Sequence, residues 1–288
     1  LENGFLNKIP NHIRSLQMKI IAFSSFKGGT AKTSTCLHLG SALAKFYGAK
    51  VLLVDFDAQA NLTFGLGFGI DCMPSIVDVL EGKIKAEGVI LKTDDPNLFL
   101  LPANAYLDGI ESRSPIVGDL YGHERLKKVL TSLAYDFILI DTPPSLGWLT
   151  QSALFASQYS LICAMPEPYS IMALNRLNEI HSQIQEHHGI EILGVLLSFF
   201  DERGATNQGY VEAIESAFMG KLFKTKVRRD IAVSRTALKG KSVFDTMKQS
   251  RAGDDYKMLA SEVLERLSLS PIETLKIKDQ DAKLTRTH

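Results

Sequence analysis

Short aliphatic runs alternate with amphipathic stretches along most of the chain. Residues 19–25 (KIIAFSS), 50–57 (KVLLVDFD), 97–103 (NLFLLPA), 136–144 (DFILIDTPP), 159–167 (YSLICAMPE) and 190–200 (IEILGVLLSFF) read as strands. Between them, 32–47 reads as a helix whose Leu39, Ala42, Leu43 and Phe46 share one face at three- and four-residue spacing, with Gly48 as its stop. Segments 123–134, 169–187, 207–219 and 254–267 carry further helical patterns, while 203–209 and 240–253 are the least regular. Strands alternating with helices favour a parallel sheet covered by helices. From Ser268 onward apolar density falls and charges of both signs mix, the pattern of a mobile tail over 268–288. No internal repeat or low-complexity tract interrupts the body, so 18–267 is expected to be one domain. Residues 1–17 lack an apolar h-region, do not read as a signal peptide, and are expected to be an extension outside the core.

Composition narrows the function only modestly. The 288 residues are 45% apolar and 22% charged, with a formal net charge of zero, so any affinity for nucleic acid or lipid must come from a local patch. Cys36, Cys72 and Cys163 lie far apart without C-x-x-C spacing. That argues against a disulfide framework or a zinc site and fits a reducing cytoplasm. No apolar run approaches a membrane span.

The chemistry begins at "FSSFKGGTAKTST", residues 23–35. A strand, a glycine turn and a helix follow one another here. Backbone N–H groups of Gly28, Gly29, Thr30, Ala31, Lys32, Thr33 and Ser34 can converge on a phosphate, with the helix dipole adding partial positive charge. Lys32 would reach the β- and γ-phosphates, and the Thr33 hydroxyl would ligate Mg²⁺. Taken alone, a glycine pair before a lysine also fits a plain turn into a helix. Against G-x-x-x-x-G-K-[ST], Phe26 and Ala31 stand where glycines belong, and the match is instead to K-G-G-x-x-K-[ST].

That variant resembles the deviant Walker A motif of the ParA/MinD family, and of its Soj-type partition ATPases in particular. "VLLVDFDAQANLTFGLG" (51–67) is similar to the family's V-D-x-D-P-Q-x-N motif, and "FILIDTPPSLG" (137–147) to its Walker B strand and loop. "PEPYSIMALNRL" (166–177) and "KVRRDIAVSRT" (226–236) also have family counterparts, so the resemblance spans most of 19–267. It implies a single-domain P-loop NTPase of α/β class with a mostly parallel twisted sheet, using ATP and Mg²⁺. It further implies a homodimer that closes around ATP, nonspecific DNA binding, a ParB-like partner that stimulates hydrolysis, and a cytoplasmic, nucleoid-associated location.

The resemblance also assigns the second lysine. Lys27 would cross the dimer interface to the partner subunit's nucleotide, where a cation in trans neutralises concentrated negative charge. Asp57 would orient the attacking water, Asp55 would support the magnesium shell, and Asp141 would hold the metal through a coordinated water. Magnesium keeps several waters, so one or two carboxylates with the phosphates suffice. Two departures bear on rate rather than fold: Ala31 replaces a usual glycine and Ala58 a usual proline. A methyl group at 31 is expected only with negative φ.

Residues 221–241 hold eight Lys or Arg and a single acid, Asp230. Such a patch suits sequence-independent, salt-sensitive phosphate contacts. The DNA-contact candidates are Arg203, Lys226, Arg228, Arg229 and Arg235; the same charges also fit a solvated basic face. Arg229 and Asp230 fall in the family's adenine-side loop, here without its proline. His187 and His188 are expected at a helix end, favouring its dipole rather than a metal. A MinD-like regulator that cycles on membranes is the main rival, but it needs an apolar C-terminal anchor. Helix 254–267 reads instead as core-packing, and 268–288 has little apolar bulk. A ParA-like positioner of another cytoplasmic cargo is a third reading. A nitrogenase-reductase-like role would need cluster cysteines that Cys163 alone does not supply.

Overall fold

The structure, a computed structural model, describes residues 18–25, 27–113, 115–119, 121–166, 170–200, 207–247 and 249–269. The extension 1–17, Arg203 and nearly all of the tail 268–288 lie outside the described residues. The first half runs β1 (Lys19–Ser24), α1 (Lys32–Tyr47), β2 (Val51–Asp55), α2 (Asn61–Gly65), α3 (Ile76–Leu80), β3 (Leu91–Lys92) and β4 (Leu98–Leu101). Next come α4 (Leu107–Arg113), α5 (Pro115–Gly118), α6 (Glu124–Thr131), β5 (Phe137–Asp141), α7 (Trp148–Ala156) and β6 (Tyr159–Ala164). The chain closes with α8 (Ser170–His188), β7 (Glu191–Phe200), α9 (Asn207–Ala217), β8 (Val227–Arg228), α10 (Ile231–Ala237), α11 (Val243–Thr246) and α12 (Arg251–Arg266).

The strands form one sheet in the order β3-β4-β2-β5-β1-β6-β7-β8, parallel throughout except for the antiparallel β3–β4 pair. Central strands are apolar at nearly every position because both faces are covered. Ile20, Ala22, Leu52, Val54, Ile138 and Ile140 point to one face, against Leu126 and Leu130 of α6 and Leu149 and Ala153 of α7. Ile21, Phe23, Val51, Leu53, Phe137 and Leu139 point to the other, against Leu39 and Leu43 of α1 and Leu259 and Val263 of α12. Gly40 lets α1 lie close on the sheet: a Cβ there would sit 2.5 Å from Leu53 Cδ2. A smaller cluster joins Ile162, Val195 and Leu197 to Leu177 of α8 and Ile214 of α9.

The principal strands and helices fall where periodicity places them; several shorter elements do not. α7 lies in a stretch that shows no clear helical period, and its first residue, Trp148, is buried and stacked on His123 at 5.2 Å. Residues 240–253, expected to be irregular, contain α11 and the start of α12. Ser250 caps α12 by accepting a hydrogen bond from Gly253 N at 3.1 Å, so the helix begins three residues earlier than the apolar pattern shows. α12 packs in the core, as its sequence suggests. His187 and His188 do end α8, where the His188 ring meets Phe155 at 4.0 Å. Among the described residues, no helix is long and apolar enough to cross a membrane.

Candidate active site

Three loops meet at the carboxyl ends of β1, β2 and β5, where an open α/β sheet forms its crevice. Register puts Asp141 opposite both Phe23 and Asp55, so the strand ends are level. The Thr142 hydroxyl donates to Phe23 O at 2.7 Å and ties the loop after β5 to the end of β1. Gly28 faces Pro144 from the other side, with 3.9 Å between its would-be Cβ and the proline Cβ.

The loop between β1 and α1 is held by its own side chains. Ser25 Oγ donates to Lys27 O at 3.0 Å, and Thr35 N donates to Ala31 O at 2.8 Å to begin α1. Lys27, Gly28 and Gly29 are exposed at the tip, Thr30 and Lys32 are buried, and Thr33 and Ser34 are partly exposed. Ala31 overturns the expectation of a negative φ. It caps α1 at φ 60° and ψ 25°, in the left-handed region. An L-residue there costs roughly 1–2 kcal/mol, and the loop keeps this conformation because Gly29, at φ 79°, and the start of α1 fix the chain on either side.

The three aspartates divide into different environments. Asp141 is fully buried, and neither of its carboxylate oxygens has a hydrogen-bond partner of ordinary geometry. Burial above all, then the nearby Asp55 charge, pushes its carboxyl up to about 7; the Lys32 charge and the Thr33 hydroxyl oppose this only in part. Asp55 is equally buried but fully engaged by its own chain. Its Oδ2 accepts from Thr63 N at 2.8 Å and from Thr63 Oγ1 at 2.7 Å, and its Oδ1 accepts from Asp57 N at 3.3 Å. Burial raises the Asp55 carboxyl to about 6, with the Thr63 bonds opposing. Asp57 lies beyond the end of β2, in a turn where its Oδ1 accepts from Gln59 N at 3.0 Å. Asp55 and Asp57 therefore do not share one strand face.

An orphaned buried carboxylate beside a lysine and a threonine hydroxyl suits a hydrated divalent cation. Among the described residues no cluster of three or more His, Cys, Asp or Glu could form an all-protein metal cage. Magnesium on a phosphate does not need one. Asp141 and Thr33 fit this role; Asp55, its oxygens turned to Thr63 and Asp57, fits a supporting one.

The basic stretch is less uniform than its sequence. Arg228 is committed inside the fold: Nη2 reaches Asp255 Oδ1 at 2.7 Å, Nε reaches Oδ2 at 3.0 Å, and Asp255 is buried. This weighs against Arg228 as a DNA contact, because the buried carboxylate needs that guanidinium as its counter-charge. Lys226 Nζ lies 4.2 Å from the Phe200 ring centroid. Asp230 caps α10 by accepting from Ala232 N at 2.9 Å, and also accepts from Ser250 Oγ at 3.0 Å. Arg229 and Arg235 are exposed, as are Lys221, Lys224 and Lys239.

Thr63 and Thr142 are the site residues that sequence reasoning missed. Both are fixed by contacts that form only after the strands are side by side. The one available signal was a threonine two positions beyond Asn61, the last residue of the V-D-x-D-P-Q-x-N motif.

Residues 18–192 match the family model AAA_31, an AAA domain. A ParA family protein of Chlamydia trachomatis serovar D is 51% identical over 249 residues, covering 86% of this chain and 98% of its own length. The sporulation initiation inhibitor protein Soj of Bacillus subtilis is 36% identical over 250 residues, covering 85% of this chain and 98% of its own length. Among solved structures, the septum site-determining protein MinD from Pyrococcus horikoshii, complexed with Mg-ADP, superposes with a TM-score of 0.72 at 27% identity. That superposition covers 86% of this chain and 96% of the other. With a K-G-G-x-x-K-T loop set between β1 and α1 and relatives of this similarity over nearly their whole length, the chain belongs to the ParA family of P-loop ATPases.

Proposed function

We propose that this chain is a Mg²⁺-dependent partition ATPase that closes as a homodimer around ATP, binds DNA without sequence preference and works with a ParB-like partner in the cytoplasm, on the nucleoid. The observation that carries the reading is Asp141. A fully buried carboxylate, neither of whose oxygens has a hydrogen bond of ordinary geometry, sits beside Lys32 and Thr33 at the phosphate loop. Burying such a group is unfavourable unless a ligand repays it.

In this reading Lys32 and the loop amides hold the β- and γ-phosphates. Thr33 and Asp141 hold Mg²⁺, which when bound would neutralise charge on the phosphate oxygens. Asp57, held at the turn after β2, orients the water. Lys27, exposed at the loop tip, suits a contact to a second subunit. Arg229 and Asp230 border the adenine side. Arg229 and Arg235 face DNA phosphates, with Lys226 at the edge of that face; Arg203 is retained as a candidate from its sequence alone.

Calorimetry and co-sedimentation with DNA test this together. Lys32→Ala is expected to lose ATP binding, and Lys27→Ala to keep ATP but lose the ATP-dependent dimer. A Lys32→Ala protein that binds ATP as tightly as wild type overturns the phosphate-site assignment. ATP-dependent retention on anionic vesicles but not on DNA points instead to the MinD-like reading.

A further inference from the structure

We infer that Thr63 is a positioning residue for ATP hydrolysis, latching the turn that carries Asp57 to the Asp55 carboxylate. The inference rests on the ATPase reading and adds to it a residue to which the motif comparison assigned no role.

Both ends of the turn are fastened to one carboxylate. At its start, Asp57 N donates to Asp55 Oδ1 at 3.3 Å. At its end, Thr63 donates to Asp55 Oδ2 twice, from its amide at 2.8 Å and its hydroxyl at 2.7 Å. Inside the turn, Ala60 N donates to Asp57 O at 2.9 Å and Gln59 N donates to Asp57 Oδ1 at 3.0 Å. The orientation of the Asp57 carboxylate is thus set by a closed loop of bonds whose anchor is Asp55.

The Thr63 hydroxyl does more than satisfy Asp55. It accepts from Ala103 N at 3.2 Å, in the segment after β4, while donating to the carboxylate. One hydroxyl therefore joins the end of β2, the first turn of α2 and the segment that follows β4, the strand next to β2. Thr63 and Asp55 are both fully buried, so no solvent is at hand to replace a lost partner. The amide bond alone would belong to any residue here, since the third amide of a helix always needs an acceptor. The hydroxyl bonds belong only to Thr or Ser. A carboxylate that orients water must be held closely, because displacement by about 1 Å can lower a rate on the order of 10²-fold.

The test compares Thr63→Val, which keeps shape and removes the hydroxyl, with Thr63→Ser, which keeps the hydroxyl. Thr63→Val is expected to lower kcat roughly 10- to 100-fold, with KM for ATP changed less than about 3-fold; Thr63→Ser is expected to stay within about 3-fold of wild type. Hydrogen exchange of the nucleotide-free proteins should show faster exchange over 57–66 in Thr63→Val and not in Thr63→Ser. If Thr63→Val does not fold, Thr63→Ala, which leaves room for a water, takes its place with the same expectations. Wild-type kcat in the hydroxyl-free variant overturns the inference, as does equal loss in Thr63→Ser. If the wild-type protein itself hydrolyses no ATP, the ATPase reading fails separately. The exchange pattern then decides the latch: local acceleration supports it and an unchanged 57–66 removes it.

Discussion

Gly67 and Gly240 touch backbone to backbone. A Cβ placed on Gly240 would lie 2.3 Å from Gly67 Cα and 2.7 Å from Gly67 N, and both residues have positive φ, 86° and 62°. The contact joins the turn after α2, which begins at the Asp55–Thr63 bonds, to the loop between α10 and α11. A continuous path of backbone therefore runs from the phosphate site to the basic face.

Gly240→Ala is expected to cost about 2–4 kcal/mol, from left-handed strain plus a collision with backbone that cannot swing aside. Gly48→Ala is the control. Gly48 also has positive φ, 66°, but nothing lies within 4 Å of its Cβ position, so only the conformational cost of about 1 kcal/mol applies. Urea unfolding midpoints compare the two. Equal losses would show that the Gly67–Gly240 contact is looser than the backbone places it.

Ala31→Gly should stabilise the chain slightly. Leaving the left-handed region to glycine removes roughly 1–2 kcal/mol of strain and returns about 0.4–1 kcal/mol through a freer unfolded chain. The net gain, about 0.5–1 kcal/mol, should raise Tm by a few degrees at most. Ala31→Val, with a branched Cβ at φ 60°, should move Tm the other way. A Tm that falls in Ala31→Gly would mean that the loop relaxes away from this conformation in solution.

The parts of this molecule that were readable in advance are those fixed by local order. Lys32 follows a strand and opens a helix, and Asp141 ends a strand after four apolar residues, so type and place follow from neighbours. Thr63 was not readable, because its role depends on a turn that folds back on Asp55 and on a strand that brings Ala103 alongside. Ala31 shows the converse: its φ is imposed by the loop against its own preference. Arg228 looks like its neighbour Arg229 in sequence, and only the approach of α12 gives it the buried Asp255. Short helices such as α2, α3 and α11 lack the length for a period to show.

Two buried imidazoles should weaken the fold in acid, against the opposite trend of the buried Asp141 and Asp55 carboxyls, whose raised values favour the folded state as pH falls. Burial lowers His38 to about 3 and His181 to about 4; His38 accepts a hydrogen bond from Val243 N at 3.4 Å, while neither ring nitrogen of His181 has a partner among the described residues. Below the ordinary histidine pKa of about 6.5 the unfolded chain takes up protons that the folded chain refuses. The histidines' share of the stability is therefore full above that value and falls as pH drops toward the folded values. At pH 5 each histidine accounts for about 2 kcal/mol. His181→Leu should remove about half of this loss without lowering stability at pH 7, since it deletes an unpaired buried polar group. Denaturant curves at pH 7 and pH 5 measure it; an unchanged pH slope in His181→Leu would mean that His181 is solvated in the native state.

Arg228 and Arg229 are adjacent in sequence, yet charge reversal at each should fail in a different way. Arg228→Glu places an acid against the buried Asp255 carboxylate, which now pairs with the guanidinium at 2.7 Å. Folding stability should fall by up to about 3 kcal/mol, with DNA affinity lost only as the protein unfolds. Arg229→Glu and Arg235→Glu act on exposed side chains, where stability changes stay within about 0.5 kcal/mol. If these two meet phosphates, each reversal removes a cation that displaces counterions, so log K against log salt should become shallower by about one unit per residue. Nucleotide affinity is measured in the same proteins, because Arg229 borders the adenine-side loop. Parallel loss of ATP and DNA binding in Arg229→Glu, with Arg235→Glu unaffected, would place Arg229 at the base rather than at DNA. Unchanged DNA affinity and slope in the double variant, with the dimer intact, would make 221–241 a solvated face and move the search for the cargo elsewhere.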